Sequence, residues 1–308
     1  MKLSVVTTLY KSRPFLATYL KEILASIQEI KIDNYELIFV YDGSPDDSVK
    51  FLLEQKKEIP QIKIVDLSRN FGHHYAIQAG LGYASGDFIF LIDNDLETPP
   101  TVLIDYYNEI KKDETLDVVY GYQEIRKGNF IEKKAGSIFW ILINKLSDTK
   151  IPHNILTERL MTKQYVSELL RLQDANLFIG GMMYWIGFNQ KGIAVKKGKR
   201  EGASTYSLKR RAQLMLQAIT SFSGKPLEWL FYFGLLISFC SILFLIYLAF
   251  RKIIHQDEVQ LGWTSIVAIN ILILGVISTF LGLIGIYIFK IFKQVQGRPN
   301  VIIKKIYE

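Results

Sequence analysis

The chain has 308 residues, a formal net charge of +7 and 49% hydrophobic residues, which leaves room for one large domain or two modest ones. The positive charge favours an anionic partner, either a nucleic acid or a membrane surface. The chain contains one cysteine, Cys240, so an intrachain disulfide is excluded and a reducing compartment is indicated. The N-terminal residues MKLSVVTTLY are typical of a strand and not of a signal peptide.

Apolar, β-rich runs alternate with helical patterns up to Gly121. Strands are predicted over residues 3–9, 35–41, 62–67, 88–92 and 117–121. Helices are predicted between them, over about 15–30, 48–57, 74–84 and 101–112. Such an alternation predicts an α/β fold with a mostly parallel sheet and right-handed crossovers.

Carboxylates follow two of these predicted strands. The run 88–92 ends in Asp93-Asn94-Asp95, and the run 35–41 ends in Asp42. Ligands bind at the carboxyl ends of strands in open α/β sheets, and clustered carboxylate oxygens suit Mg²⁺ or Mn²⁺ together with substrate phosphates. An isolated Asp-x-Asp is more often a solvated turn, so the rest of the chain has to decide.

The segments after the sheet region are of mixed character. Residues 131–148 carry one apolar stripe flanked by lysines, which fits an interfacial membrane helix and a core helix about equally well. Residues 158–161 are predicted to enter a helix that ends near Arg171, and residues 178–188 to form a helix packed under the sheet. A basic loop with small residues follows at 196–206.

Two long apolar stretches, 229–250 and 263–289, contain no charged residue. Each is longer than the ~20 residues that cross a bilayer. The flanks are more basic than the loop between them, so the positive-inside rule places both termini in the cytoplasm. The predicted organisation is a cytoplasmic domain at 1–208, an amphipathic juxtamembrane segment at 209–226, and a hairpin with a short cytoplasmic tail at 227–308.

Taken in this order and spacing, the motifs resemble those of family 2 glycosyltransferases of the polyprenyl-phosphate group, which includes dolichol-phosphate mannosyl- and glucosyltransferases. The resemblance extends over nearly the whole chain. It is carried by SVVTTLY, YDGSPDDS, LSRNFGHHYAIQAGL, GDFIFLIDNDLETPP, REGASTYSL, ITSFSGKPL and the final QGRPN.

The resemblance implies a GT-A-type domain at the cytoplasmic membrane. It implies inverting, metal-dependent transfer of one sugar from a nucleotide-sugar to a polyprenyl phosphate of the undecaprenyl type, for modification of a cell-surface glycan. The implied cofactor is Mg²⁺ or Mn²⁺. The implied catalytic residues are Asp93, Asp95, Arg159 and Glu158, with Asp95 on the metal and Asp93 on the metal or the ribose. The implied substrate-binding residues are Thr8, Tyr10, Asp42, Asn70, Gly72, Arg200, Ser204 and Tyr206.

Within that set, Asp42 would contact the nucleobase, and Arg200, Ser204 and Tyr206 would hold phosphate groups near the membrane. A solvated basic loop is the alternative for the last three residues. His73 and His74 follow the loop that contains Asn70 and Gly72, and a structural role is expected for both.

The chain departs from the family pattern in three places. Residues 8–12 replace the usual Pro-x-Tyr-Asn-Glu, and Thr205 replaces a lysine. Residues 156–160 replace Gly-Asp-Phe-Arg-Leu, so that Thr157 stands at the carboxylate position with Glu158 beside it. A phosphate acceptor has a second pKa near 6 and needs positioning more than a general base, so the loss of that carboxylate favours a phosphate acceptor.

Two other functions stay open. The chain could be an inactive membrane scaffold of a glycan assembly complex, or a transferase that uses a glycolipid hydroxyl. A nucleic-acid partner is not expected, whereas assembly into a homo-oligomer is possible through the interfacial helix or the spans. The missing Gln-x-x-Arg-Trp motif argues against a processive polysaccharide synthase.

Overall fold

A computed structural model describes residues 1–123, 152, 154–175, 177–196, 225–254 and 263–308. The predicted interfacial helix at 131–148 lies outside these residues, as does most of the juxtamembrane segment 209–226. Arg200, Ser204 and Tyr206 also lie outside them, so their roles stay predictions.

The described residues form eight strands and eight helices. The strands are β1 (Leu3–Leu9), β2 (Tyr35–Tyr41), β3 (Ile62–Leu67), β4 (Phe88–Leu91), β5 (Val118–Tyr122), β6 (Ile155–Thr162), β7 (Gln190–Ala194) and β8 (Ile303–Tyr307). The helices are α1 (Leu16–Glu29), α2 (Ser48–Gln55), α3 (His73–Gly82), α4 (Val102–Lys112), α5 (Lys163–Arg171), α6 (Ile179–Trp185), α7 (Lys225–Ile254) and α8 (Trp263–Val295). The strands and helices predicted up to Gly121 are confirmed to within two residues at each end.

The eight strands form one sheet in the order β7-β5-β6-β4-β1-β2-β3-β8. The central strands β1, β2, β3 and β4 pair in parallel, as the alternation of strands and helices predicts. Strand β6 is antiparallel to both β4 and β5, and β8 is antiparallel to β3. The parallel centre is therefore flanked on both sides by antiparallel strands.

Helices cover both faces of the sheet. On one face α1 and α4 contribute buried side chains such as Leu16 and Leu103, and on the other α3 and α6 contribute Ile77 and Met182. A strand covered on both faces is apolar throughout and does not alternate. This explains why the central strands appear in the sequence as continuous apolar runs.

Strand β6 corrects one of the predictions. The sequence pattern predicts that residues 158–161 begin a helix, but they lie within β6, and α5 begins only at Lys163. Glu158 and Arg159 are 2% and 1% exposed, so charged residues occupy the core of the sheet. Because charged residues are rarely buried, the sequence pattern of these residues does not indicate a buried strand.

The C-terminal residues form a strand, whereas the sequence pattern predicts only a short tail there. Strand β8 pairs with β3, with Val65 opposite Ile306 and Ile64 opposite Tyr307. The pairing joins segments that are far apart in the sequence, so local periodicity does not reveal it. As a result, the chain returns to the sheet after its last long helix.

Helices α7 and α8 precede β8. Within the described part of the chain, one helix is long and apolar enough to cross a membrane, namely α8 over its stretch Ile273–Val295. Helix α7 lies beside it, with the rings of Phe233 and Phe280 packed edge to face at 6.2 Å. Large apolar side chains on both helices are exposed, for example Phe231 at 63% and Leu281 at 64%.

Candidate active site

Three loops meet at the carboxyl edge of the central strands. Parallel pairing aligns Leu9 with Tyr41 and Val6 with Leu91, so the loops after β1, β2 and β4 leave the sheet side by side. The side-chain amide of Asn94 donates to the Thr8 carbonyl at 2.6 Å. These pairings bring the predicted residues Thr8, Asp42 and Asp93 to one edge of the sheet.

One hydrogen bond joins the first loop to the second, and another lies within the first loop. The backbone N–H of Lys11 donates to Ser44 Oγ at 2.8 Å, and that of Tyr10 donates to Ser12 Oγ at 3.1 Å. Lys11 itself has a positive φ of 57°. The side chain of Tyr10 is 52% exposed, so it stands at the rim of the site.

Asp42 organises the loop that follows β3. Its carboxylate is 3% exposed and accepts hydrogen bonds from the backbone N–H groups of Phe71 at 2.7 Å and Gly72 at 3.0 Å. The Asn70 side chain donates to the Asp42 carbonyl at 3.1 Å. The predicted site residues Asp42, Asn70 and Gly72 are therefore in direct contact, and the contact of Asp42 with a nucleobase stays a prediction.

Two glycines allow these loops to approach each other. A Cβ at Gly43 would collide with the backbone of Arg69 and Asn70, and the residue has a φ of +57°. Gly72 has a φ of +104°, which side chains other than glycine strongly disfavour. The backbone conformation at position 72 therefore requires a glycine, whether or not Gly72 also binds substrate as predicted.

Asp93 and Asp95 flank a buried residue at the end of β4. Asn94 is 5% exposed and turns inward beneath Thr8, while the Asp93 side chain is 31% exposed. Asp95 Oδ1 accepts from the backbone N–H of Glu97 at 3.0 Å, which orients that carboxylate. Leu96, with a φ of +59°, lies in the turn between Asp95 and Glu97.

The two carboxylates fit a divalent cation. Mg²⁺ is usually held by one or two carboxylates and completed by water and substrate phosphate oxygens, and not by an all-protein cage. In the described residues no group of three or more His, Cys, Asp or Glu side chains forms such a cage. Asp93 and Asp95 have the donor type that such a metal takes, and their binding of a metal stays a prediction.

His73 joins this cluster at the start of α3. Its Nδ1 lies 3.1 Å from Thr8 Oγ1, and its Nε2 lies 3.6 Å from Asp93 Oδ1. Neighbouring protein atoms desolvate the ring and lower the pKa of His73, although the charges of Asp42, Glu158 and Asp95 act to raise it. The sequence predicts only a structural role for His73, although its position directly after Gly72 indicates that it lies near the site.

His74 faces the other way. Its Nδ1 lies 3.3 Å from the Leu177 carbonyl, and its ring packs against Phe178 at 5.9 Å. Burial and the neighbouring His73 lower the pKa of His74, although its hydrogen bond to Leu177 acts to raise it. A structural role, as predicted, matches these contacts.

Strand β6 places its two charged residues on opposite faces. Arg159 shares a face with Met161 of the α3 side, whereas Glu158 shares the other face with Leu160. Arg159 donates through Nε to the Thr157 carbonyl and through Nη2 to the Leu156 carbonyl, both at 3.1 Å. Glu158 therefore does not point to the same side as Thr157, whose place the family carboxylate would take.

A cleft of about 230 Å³ lies between α3, β6 and α6. Its polar lining comes from His73, His74, Thr157 and Arg159, and the remainder is mostly apolar. His73 borders both this cleft and the Asp93 carboxylate, so the cleft adjoins the candidate metal site.

The chain is similar to one protein family and to several known proteins. The model of the family "Glycosyl transferase family 2" matches residues 4–170. An uncharacterized glycosyltransferase of Bacillus subtilis, YkcC, is 36% identical over 99% of this chain and 94% of its own length. The SfII prophage-derived bactoprenol glucosyl transferase of Shigella flexneri is 30% identical over 99% of this chain and 98% of its own length. The mannosyltransferase PcManGT of Pyrobaculum calidifontis, solved with GDP-Man and Mn²⁺, is 14% identical. The match covers 96% of this chain and 86% of that one, with a TM-score of 0.49.

Proposed function

The chain belongs to glycosyl transferase family 2 and is a glycosyltransferase, and on this premise we propose that it transfers one sugar from a nucleotide-sugar to a polyprenyl phosphate. The observation that carries the proposal is the likeness to a bactoprenol glucosyl transferase over 99% of the chain. The acceptor is of the undecaprenyl type, and the product serves in modification of a cell-surface glycan.

The donor binds at the carboxyl edge of the central strands. Thr8, Tyr10 and the loop held by Asp42 line the nucleoside side, and Asp93 and Asp95 would hold Mg²⁺ or Mn²⁺. A metal bound there would neutralise charge on the departing nucleoside diphosphate. Asp95 is oriented by the Glu97 amide and Asp93 lies against His73, so both carboxylates are held before the donor arrives.

The reaction is a single displacement with inversion. An oxygen of the lipid phosphate attacks the anomeric carbon, the bond from that carbon to the diphosphate oxygen breaks, and the nucleoside diphosphate leaves with the electron pair. Because the acceptor is already largely dianionic at neutral pH, no strong base is required. Thr157 in the cleft and Glu158 on the opposite face agree with this requirement.

Arg159 provides positive charge at the cleft. It is 1% exposed, and its guanidinium is fixed by the carbonyls of Leu156 and Thr157. A fixed guanidinium suits a phosphate better than a mobile ammonium does. The predicted phosphate-binding residues of the basic loop, Arg200, Ser204 and Tyr206, complete the phosphate site in this proposal.

Helices α7 and α8 form a membrane hairpin, with the catalytic domain and both termini in the cytoplasm. Support comes from the pairing of β8, which follows α8, with β3 of the catalytic domain, which precedes α7. This pairing requires both to lie on the same side of the membrane. If α8 crosses the bilayer over Ile273–Val295, a second crossing is needed before it. Helix α7, with the charge-free stretch 229–250, has the length to provide it.

A panel of sugar nucleotides tests the function. The full-length protein in vesicles is supplied with Mn²⁺ or Mg²⁺, undecaprenyl phosphate and each donor in turn, and the lipid product is analysed by mass. We expect one donor to give a product heavier by a single sugar that mild acid releases, as a glycosyl phosphate requires. An acid-stable product would instead identify a hydroxyl acceptor, and no turnover with any donor would favour the scaffold function.

A further inference from the structure

The segment 294–307 ties the end of α8 to the catalytic domain, and we call it the C-terminal clasp. Its strand, β8, extends the sheet beside β3, and the Ile302 carbonyl accepts from the backbone N–H of Ser68 at 2.9 Å. Ser68 directly precedes the loop whose amides hold Asp42. The clasp thus contacts the root of a loop that lines the candidate site.

Asn300 bridges two further elements through its side-chain amide. Nδ2 donates to Gln78 Oε1 on α3 at 2.9 Å and to the Asp174 carbonyl at 3.2 Å. Asp174 lies in the connection between α5 and α6, and Gln78 itself donates to the Leu172 carbonyl of the same connection at 3.2 Å. Asn300 therefore joins the helix that begins with His73 to the connection that leads to the cleft.

Gln294, in the last turn of α8, holds the same connection from the membrane side. Its Oε1 accepts from the backbone N–H of Ala175 at 2.8 Å, and its Nε2 donates to the Gln173 carbonyl at 3.0 Å. Both ends of one amide are used on one backbone segment, which fixes orientation as well as distance. The connection continues into Phe178 and Ile179, which line the cleft.

We propose that the clasp holds the cleft at a fixed height and orientation relative to α8, so that a lipid phosphate in the bilayer reaches the sugar. Gln294 and Asn300 are the positioning residues. This inference rests on the proposed polyprenyl-phosphate acceptor, because a soluble acceptor would need no such alignment. Misplacing a reacting group by about 1 Å costs roughly a hundredfold in rate. Variable placement of the catalytic domain relative to α8 would therefore lower turnover on a membrane-held substrate.

The kinetic test compares a membrane-embedded acceptor with a short-chain polyprenyl phosphate that is soluble in detergent. In the double variant Gln294→Ala/Asn300→Ala we expect kcat/KM to fall roughly tenfold with undecaprenyl phosphate in vesicles, and less than about threefold with the short acceptor. The donor KM should be unchanged. The control is Gln296→Ala, because Gln296 is an exposed amide in the same segment.

A distance measurement provides a readout that does not depend on turnover. Spin labels are placed at Lys21→Cys on α1 and Ile291→Cys on α8, with Cys240→Ser, and the full-length protein is reconstituted in a bilayer. We expect a narrow distance distribution in this background and with Gln296→Ala, and a broader one in the double variant.

Two outcomes overturn the inference. One is an equal fall of kcat/KM with both acceptors, which would show a structural role only, and the other is a distance distribution that the double variant leaves unchanged. If the unmodified protein glycosylates neither lipid, the proposed function is wrong, while the distance measurement still decides whether the clasp fixes the domain on α8.

Discussion

Asp95 is the residue on which the proposed metal site depends most directly. Its carboxylate is oriented by the Glu97 amide and has an oxygen left for a cation. We expect Asp95→Asn to lower metal-dependent turnover by at least about a hundredfold, because an amide is a much poorer ligand for Mg²⁺ or Mn²⁺. Initial rates measured against metal concentration test this.

The matched control for that substitution is Asp105→Asn, at an exposed position on α4. Both variants should melt within a few degrees of the unmodified protein, because neither carboxylate lies in the core. Undiminished activity of Asp95→Asn across the metal range would remove Asp95 from the metal site.

Asp42 acts through the loop that it holds. Asp42→Ala leaves two backbone N–H groups without their acceptor, whereas Asp42→Asn keeps one oxygen in place. Unsatisfied buried donors cost about 1–3 kcal/mol each, so the loop should loosen more in the alanine variant. We expect the donor KM to rise roughly tenfold for Asp42→Ala and less for Asp42→Asn, and steady-state kinetics at saturating acceptor measures both.

If Asp42 instead contacts the nucleobase directly, the two variants should weaken donor binding by similar factors. The ratio of their donor KM values therefore separates positioning of the loop from direct contact. This comparison also tests the role that the family resemblance implies for Asp42.

At the scale of elements, Glu36 links β2 to β1 and to the turn before β4. It accepts from Ser4 Oγ at 2.5 Å, from the backbone N–H of Ser85 at 2.7 Å and from Lys2 Nζ at 3.0 Å. Burial alone would raise the pKa of Glu36, but these hydrogen bonds outweigh it and hold the pKa below its usual value.

This lowered pKa predicts a pH-dependent effect of Glu36→Gln. The carboxylate stabilises the fold fully above the pKa of the unfolded state, near 4.5, and this stabilisation is lost as the pH falls through the lower native value. We expect Glu36→Gln to cost about 1–2 kcal/mol at pH 7 and clearly less below about pH 4. Melting temperatures in detergent at both pH values, with exposed Glu29→Gln as control, measure the difference. An equal cost at both pH values would contradict the prediction.

At the scale of the whole molecule, β8 makes the end of the chain part of the catalytic domain. A protein truncated before α7 loses this edge strand, together with Val301 and Ile303, which pack against the α3 face. The exposed edge of β3 should then lower the melting temperature and promote aggregation.

A second variant restores the strand without the helices. A Gly/Ser linker of about 20 residues replaces 225–296, so that β8 can still reach β3. We expect this variant to melt several degrees above the truncated one, and both to glycosylate vesicle-bound acceptor poorly. Equal melting temperatures would show that β8 contributes little to the stability of the domain.

The sequence by itself determined the parallel centre of the sheet, the family motifs and the place of Asp93 and Asp95. Each of these depends on local patterns: apolar runs buried on both faces, helical periodicity between them, and carboxylates directly after a strand. The long charge-free stretches near the C-terminus are equally local. Such signals are visible in a window of a few residues.

Only the tertiary structure decided that residues 155–162 and 303–307 join the sheet, that His73 lies against Asp93, and that Asp42 holds the loop with Gly72. These features depend on contacts between residues far apart in the chain, and on charged side chains in a core where charge is rarely found. The sequence around a carboxylate looks the same whether the carboxylate accepts a hydrogen bond from a backbone amide or binds a metal. Its partner is known only when the neighbouring strands and loops are in place.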